Sequence, residues 1–182
     1  YLPNNVKYFV LDFDKKALEK AKKKGAITKQ IDFDQDVIQW NEEQPFNIIT
    51  VTEVFEHLKD PLRHLKEIKQ ILKDDGMLLV SLPNENMLYH RIMALLGFGV
   101  DYFAFKLYKH LHLPTIKQSR QFLQSEFKII KQDYYVNVSA QSSRVEFLGN
   151  FFQLIPDSIW NYLARFWPSG FARGTIFLLK KK

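Results

Sequence analysis

Residues 46–61 read FNIITVTEVFEHLKDP, and they carry the clearest structural signal in this chain. The first six residues form a largely apolar run, which is typical of a buried strand. Pro61 then occupies a favoured first position of a helix. Apolar residues recur at helical spacing at Leu62, Leu65, Ile68 and Leu72. The stretch therefore predicts a strand followed by a helix over residues 60–73, which the Asp-Asp-Gly sequence at 74–76 would close.

The same alternation of strand and helix extends to both sides of this stretch. Strands are predicted at residues 6–11, 26–31 and 77–82 from their apolar composition. Asp14 can cap a helix that ends at Gly25. This alternation indicates an α/β fold, with a parallel sheet covered by helices on both faces.

The second half of the chain is less regular. An apolar and aromatic stretch at 86–108 is too interrupted by charged residues to span a bilayer. The elements predicted after it are a helix capped by Thr115, a strand at 127–138, a helical stretch at 145–167 and a strand at 175–179. No internal repeat or low-complexity tract interrupts them, so we expect one domain over 1–182, with lid insertions at about 86–114 and 139–170.

Composition excludes several classes of protein. Of the 182 residues, 46% are hydrophobic and 25% are charged, which indicates a globular chain rather than a disordered one. Cysteine is absent. A disulfide scaffold, a thiolate zinc site and a cysteine nucleophile are therefore excluded.

Charge is distributed unevenly along the chain. Residues 1–86 hold 13 basic and 15 acidic side chains, whereas residues 87–182 hold 13 and 5. The second half is thus basic by eight charges, and it is rich in aromatic residues. This combination favours an anionic partner, such as a phosphate-bearing substrate, a membrane surface or nucleic acid. The alternative is a basic surface that only maintains solubility.

Four segments together resemble the class I S-adenosylmethionine-dependent methyltransferases, in the small-molecule branch that includes ubiquinone O-methyltransferases. They are FVLDFDKKAL at 9–18, the stretch at 46–61, LKDDGMLLVSLPN at 72–84 and HLHLPT at 110–115. The resemblance implies a doubly wound Rossmann-like sheet of strand order 3-2-1-4-5-7-6, with the last strand antiparallel. It also implies S-adenosylmethionine as the cofactor.

One part of the family pattern has no counterpart in these residues. The family's first strand and its Gly-rich loop would precede Tyr1, so we expect the chain to be N-terminally incomplete and inactive alone. Strand 1 belongs between the strand that ends at Asp12 and the one that ends near Val51. Without it, we expect these two strands about two spacings apart, roughly 9–10 Å, unless another segment or chain fills the slot.

The resemblance assigns cofactor-binding roles to residues that follow strands, where ligands bind in doubly wound sheets. It places Asp12 on the ribose hydroxyls, Phe13 against adenine and Asp32 at the adenine amino group. Phe33 is expected in the same cluster. Thr52, after the next strand, is expected to line the methionine end.

Acidic and histidine residues follow that strand at helical spacing. Glu53, Glu56 and His57 fall at i, i+3 and i+4 and can share one face. The pattern resembles the metal site of ubiquinone O-methyltransferases and of small-RNA 2′-O-methyltransferases, and His110 lies where the RNA enzymes supply a further histidine. Our assignment is that no metal binds, that His57 acts as general base or substrate orienter, and that His110 is a second catalytic residue. His64, on the predicted helix, is expected to be exposed.

The function predicted from these features is S-adenosylmethionine-dependent methyl transfer to a small or lipid/sugar-linked acceptor. The alternatives are a metal-dependent RNA 2′-O-methyltransferase and a non-catalytic methyltransferase-like module. Nucleic acid is the less favoured partner, because no stacking motif of single-strand binders is visible. A cytoplasmic location is expected, with residues 86–108 and 145–167 forming a lid or a peripheral membrane contact.

Overall fold

The computed structural model describes residues 6–39, 45–97, 110–136 and 156–182. The chain divides into two compact units, Tyr1–Asn41 and Glu42–Lys182. The described strands form a two-stranded sheet in the first unit and a four-stranded sheet in the second.

The first unit contains a strand–helix–strand motif. Its elements are β1 (Phe9–Asp12), α1 (Lys15–Lys23) and β2 (Ile27–Gln30). The two strands pair in parallel, from Phe9 opposite Ile27 to Asp12 opposite Gln30. The predicted cap of α1 is confirmed, because Asp14 Oδ1 accepts a hydrogen bond of 2.8 Å from the backbone N–H of Lys16.

The second unit contains a mixed sheet. Its strands are β3 (Phe46–Thr52), β4 (Leu72–Pro83), β5 (Phe127–Tyr135) and β6 (Gly174–Lys181), in the spatial order β3-β4-β6-β5. β3 and β4 are parallel, whereas β6 runs antiparallel to both β4 and β5. The α/β class predicted from the sequence is therefore confirmed. Two expectations stay predictions: the strand order 3-2-1-4-5-7-6 of a complete sheet, and a single domain over residues 1–182.

Five helices and a short turn accompany this sheet among the described residues. They are α2 (Pro61–Ile71), α3 (Leu88–Leu95), α4 (Ile116–Gln124), α5 (Asp157–Phe166), α6 (Pro168–Phe171) and a 3₁₀ turn at Phe55–His57. Within the described ranges, none of these helices combines the length and the apolar character needed to cross a bilayer.

The helix α2 begins as predicted but ends earlier. Pro61 is its first residue, and Asp60 caps it by accepting a hydrogen bond from the backbone N–H of Arg63. The predicted end at 74–76 is wrong, because Leu72 is already extended, buried and paired with Phe46. Burial of Leu72 against the neighbouring strand outweighs the local turn signal, so the Asp-Asp-Gly sequence lies inside β4.

His64 is also placed differently from the sequence expectation. Its side chain is only 1% exposed, and Nδ1 lies 2.8 Å from Glu67 Oε2. The second ring nitrogen lies 3.1 Å from the guanidinium of Arg63. These partners satisfy the imidazole, so its burial on the inner face of α2 leaves no unpaired ring nitrogen.

The core of the second unit lies between the sheet and its helices. Its fully buried side chains include Leu65, Leu78, Val80, Leu123, Phe127, Phe177 and Leu179. The helix α4, which packs on this core, begins with a capping box. Thr115 Oγ1 accepts a hydrogen bond from the backbone N–H of Gln118, and Gln118 Oε1 accepts one from the backbone N–H of Thr115. The predicted Thr115 cap is confirmed.

Candidate functional site

The chain turns sharply at the carboxyl end of β3. Glu53 directly follows Thr52 and has a φ of 52°, which is unusual for a residue other than glycine. Its carboxylate Oε1 accepts hydrogen bonds from Ser81 Oγ at 2.9 Å and from Tyr135 Oη at 2.7 Å. Burial of the phenol raises the pKa of Tyr135, and the bond to Glu53 raises it further. Tyr135 therefore stays protonated and holds the Glu53 carboxylate in place.

Glycine at position 174 makes this arrangement possible. Tyr135 and Gly174 are opposite one another in the β5–β6 pair. A side chain at Gly174 would collide with the ring and hydroxyl of Tyr135. The tyrosine can reach Glu53 because residue 174 has no Cβ.

The 3₁₀ turn buries a carboxylate. Glu56 is only 1% exposed, and neither of its side-chain oxygens has a hydrogen-bond partner among the described residues. Burial raises the pKa of Glu56 from 4.5 to about 7; the residue's own backbone and His110 act to lower it, whereas Glu53 and Glu85 raise it further. The carboxyl group can therefore exchange a proton near neutral pH, or it can bind a cation.

A second chain segment is attached to this turn through the backbone. The carbonyl oxygen of Glu56 accepts hydrogen bonds from the N–H groups of Leu111, at 2.8 Å, and His112, at 3.1 Å. The imidazole Nε2 of His112 lies 2.9 Å from the carbonyl oxygen of Leu58. These contacts hold the start of the segment that leads into α4 against the turn, and they bring His110 to the site.

His110 lies between an acid and another histidine. Its Nδ1 donates to Glu85 Oε1 at 2.6 Å, and its ring centroid lies 4.7 Å from that of His57 in an edge-to-face arrangement. The hydrogen bond to Glu85 raises the pKa of His110. Burial raises the pKa of Glu85, but the bond from His110 and the neighbouring positive charges outweigh it and lower the pKa. Glu85 thus orients the His110 ring and stabilises its protonated form.

Glu56, His57 and His110 can together act on a proton or hold a metal ion. One ligand atom from each lies within 4.8 Å of the other two. A carboxylate with two imidazoles suits several divalent transition metals. The two buried Glu56 oxygens have no hydrogen-bond partner among the described residues. They can bind such a metal ion, and they can equally well accept a hydrogen bond from the methyl acceptor. We refer to Glu56, His57, Glu85 and His110 as the acid–histidine cluster.

The first unit brings four of the predicted cofactor residues to one edge of its sheet. Asp12 ends β1, and its Oδ1 accepts from the N–H of Asp14 at 2.9 Å. Asp32 follows β2 and accepts from the N–H of Asp34 at 3.0 Å. Phe13 is 65% exposed next to Asp12, and Phe33 is half-buried next to Asp32. Exposed Phe13 is available to pack on a planar ligand.

The remaining predicted site residues lie in the second unit. Thr52 ends β3 opposite Ser81 and is exposed. His57 and His110, predicted to be catalytic, are brought together by the structure. Of the two stretches predicted to form a lid or a membrane contact, residues 98–108 and 145–155 lie outside the described residues.

Two contributors to the site were not anticipated from the sequence. Glu85 and Tyr135 lie 25 or more residues from the His110 and Glu53 side chains that they contact. The available signal for Glu85 was its place two residues after β4, at the edge where parallel strands end. Tyr135 had no such signal, because only the pairing of β5 with β6 brings it to Glu53.

Comparison with known proteins shows what this chain is similar to. The sequence profile of a family described as "methyltransferase domain" matches residues 2–132. The ubiquinone biosynthesis O-methyltransferase of Haemophilus ducreyi is 30% identical over 69 residues, which are 38% of this chain and 28% of that protein. The match therefore spans less than a third of this curated relative.

Solved structures show the same fold at low sequence identity. A crystal structure of an S-adenosylmethionine-dependent methyltransferase from Mesorhizobium loti has a TM-score of 0.58 at 16% identity and covers 97% of this chain and 81% of that one. The N-methyltransferase NodS from Bradyrhizobium japonicum, in complex with S-adenosyl-L-homocysteine, has a TM-score of 0.51 at 10% identity and covers 96% of this chain and 66% of that one.

Proposed function

Because the chain belongs to the class I S-adenosylmethionine-dependent methyltransferases, we propose that it transfers a methyl group to a small or lipid/sugar-linked acceptor. The observation that carries this proposal is the acid–histidine cluster beside the end of β3. It combines the oriented imidazole of His110, the imidazole of His57 and the buried carboxyl group of Glu56. Such groups can bind an acceptor and remove its proton.

The cofactor would be held by residues that follow strands. We assign Asp12 to the ribose hydroxyls, Phe13 and Phe33 to the adenine surroundings, and Asp32 to the adenine amino group. Thr52 is assigned to the methionine end. When bound, S-adenosylmethionine supplies an activated methyl group on a sulfonium. The position of Asp12 and Asp32 after neighbouring parallel strands supports the first assignments.

His110 is the proposed general base. The carboxylate of Glu85 fixes its ring and stabilises the imidazolium that forms when it accepts the acceptor proton. His57 packs against His110 and would orient the acceptor. Since the methyl donor is already activated, alignment and exclusion of water are the remaining demands on the protein.

Calorimetric binding of S-adenosylmethionine to the full-length protein tests this proposal. Asp12→Ala should weaken binding by about 1.5–3 kcal/mol, as for a hydrogen bond to a charged group. Glu19→Ala, which removes an exposed carboxylate on α1 of the first unit, is the control and should bind as the unaltered protein does. Equal affinity in all three proteins contradicts the Asp12 assignment, and absence of binding favours a non-catalytic module.

A second candidate function uses the cluster to hold a divalent cation. The proximity of one ligand atom each from Glu56, His57 and His110 supports it. The activity would then be metal-dependent RNA 2′-O-methylation. Transfer to a single-stranded RNA, compared with the same RNA ending in a 2′-deoxynucleotide, tests the acceptor, and EDTA followed by Mn²⁺ tests the cation. Transfer that resists EDTA and ignores the terminal 2′-hydroxyl contradicts this candidate.

A membrane contact is proposed for the exposed face of α5. Ile159, Tyr162 and Phe166 recur at helical spacing and are 47%, 68% and 79% exposed, whereas Trp160 is buried on the opposite face. The excess of eight positive charges in residues 87–182 favours an anionic lipid surface. Flotation with phosphatidylglycerol vesicles at low salt tests this contact. Phe166→Glu should reduce flotation and Leu62→Glu, an exposed site on α2, should not; equal flotation contradicts the assignment.

A further inference from the structure

A cavity of about 390 Å³ lies in the second unit beside the acid–histidine cluster. It is lined by residues of the turn at Phe55–His57, of the segment 111–114 and of α4, and by Leu82 of β4. Small-molecule sites typically have volumes of roughly 300–1,000 Å³. The cavity is thus large enough for a compound built around a single ring.

The walls of this cavity are largely apolar. Phe55 and Phe122 meet edge to face with ring centroids 5.2 Å apart, and Pro61, Leu113 and Pro114 extend this surface. No lysine or arginine is among its described lining residues. A phosphate or carboxylate ligand would therefore find no counter-charge there, and it would lie close to the acidic group of Glu56.

Two buried polar groups in the cavity lining lack partners. Ser119 is 2% exposed and Glu56 is 1% exposed. Neither Ser119 Oγ nor the two carboxylate oxygens of Glu56 has a hydrogen-bond partner among the described residues. Buried polar groups in proteins are almost always satisfied. These atoms therefore point to a ligand that brings a hydrogen-bond donor into a largely apolar space, whose other polar lining residues are His112 and Gln118.

Glu56 connects the cavity to the cluster. It lines the cavity, and its Oε1 also lies 4.0 Å from His57 Nε2. A hydroxyl group that donates to Glu56 would be next to the histidines. We propose that the cavity is the acceptor subsite and that it takes the ring-sized apolar part of a neutral acceptor whose hydroxyl group donates to Glu56 and accepts from Ser119. The inference rests on the proposed function, because the ligand is an acceptor only if the protein transfers methyl groups.

Titration of backbone-amide NMR spectra with benzyl alcohol tests the subsite without any turnover. Benzyl alcohol should give saturable shifts at the amides of Leu111, Leu113 and Ser119. Toluene, which lacks the hydroxyl, and benzoate, which is anionic, should bind more weakly by tenfold or more. Ser119→Ala and Ser119→Val should each weaken benzyl alcohol about five- to tenfold, the loss of one hydrogen bond. Ser125→Ala, at the exposed end of α4, is the matched control and should leave its affinity unchanged.

Three results would overturn the inference. They are the absence of saturable shifts with any probe, equal binding of all three probes, and unchanged affinity for benzyl alcohol in both Ser119 variants. Absence of saturable shifts would mean that water alone fills the cavity. Calorimetry with S-adenosylmethionine separates this outcome from failure of the proposed function. Cofactor binding without benzyl alcohol binding overturns only the subsite, whereas benzyl alcohol binding without cofactor binding overturns only the methyltransferase activity.

Discussion

Replacement of Glu56 by glutamine should make the stability of the protein less dependent on pH. Burial holds the pKa of Glu56 at about 7 in the folded protein, against 4.5 for an ordinary glutamate. The folded state therefore binds a proton that the unfolded state releases between these two values. Stability contributed by the protonated carboxyl is complete below pH 4.5 and is lost as the pH rises towards 7. Glu56→Gln cannot ionise, so it avoids this loss.

The magnitude follows from the two pKa values. A rise from 4.5 to about 7 corresponds to roughly 3 kcal/mol at pH 8, where the folded carboxyl is largely ionised. At pH 5 the same linkage costs less than about 1 kcal/mol. The buried amide of the variant has its own cost, but that cost does not change with pH. The advantage of Glu56→Gln should thus grow by about 2–3 kcal/mol between pH 5 and pH 8.

Urea unfolding followed by tryptophan fluorescence at pH 5 and pH 8, in EDTA, measures this difference. Other charged or titratable groups around Glu56 are Glu53, Glu85, His57 and His110, and they are unchanged in the variant. Glu126→Gln is the control in the same unit. Glu126 is paired with Lys69 at 3.0 Å, and this contact lowers the pKa of Glu126. Glu126→Gln loses the pair, so it should slightly destabilise the protein. A pH-independent difference for Glu56→Gln, or one that shrinks towards pH 8, refutes the reasoning.

Three further outcomes are expected. Asp12→Ala should lower the affinity for S-adenosylmethionine 10- to 150-fold by calorimetry, and an unchanged affinity removes Asp12 from the site. Glu85→Gln should lower the pKa of His110, because the variant lacks the carboxylate that raises it. The acid limb of the profile of kcat/KM against pH should then move to lower pH, and a limb that stays in place contradicts His110 as the base. Gly174→Ala should lower the thermal midpoint and displace Tyr135, since the added methyl collides with its ring, and an unaltered midpoint contradicts that contact.

The starts of α1, α2 and α4 were predicted correctly from the sequence, because they depend on residues that are close together along the chain. Asp14 and Thr115 cap helices as expected, because a cap needs only a side chain and the N–H groups two or three residues away. Pro61 begins α2 for an equally local reason. The end of α2 was predicted wrongly, because a partner strand decides where Leu72 becomes extended.

Burial of polar residues was the least predictable property. His64 was expected in solvent but is buried between Arg63 and Glu67, since its place on the helix gives no sign of which face the sheet covers. Glu56 is a further example, because an acid in a turn is ordinarily exposed. Its burial depends on a segment more than 50 residues later in the chain, which bonds to its carbonyl group.

The sequence by itself determined the α/β class, the carboxylates that follow strands and the histidines considered catalytic, because these depend on composition, spacing and residue type. Only the tertiary structure decided what those groups can do chemically. It pairs Glu85 with His110, buries both Glu56 oxygens beside a largely apolar cavity with no hydrogen-bond partner in the described part of the chain, and directs Tyr135 onto Glu53. The physical reason is that a pKa and a hydrogen bond depend on distance and burial, and chain folding sets both between residues far apart in sequence.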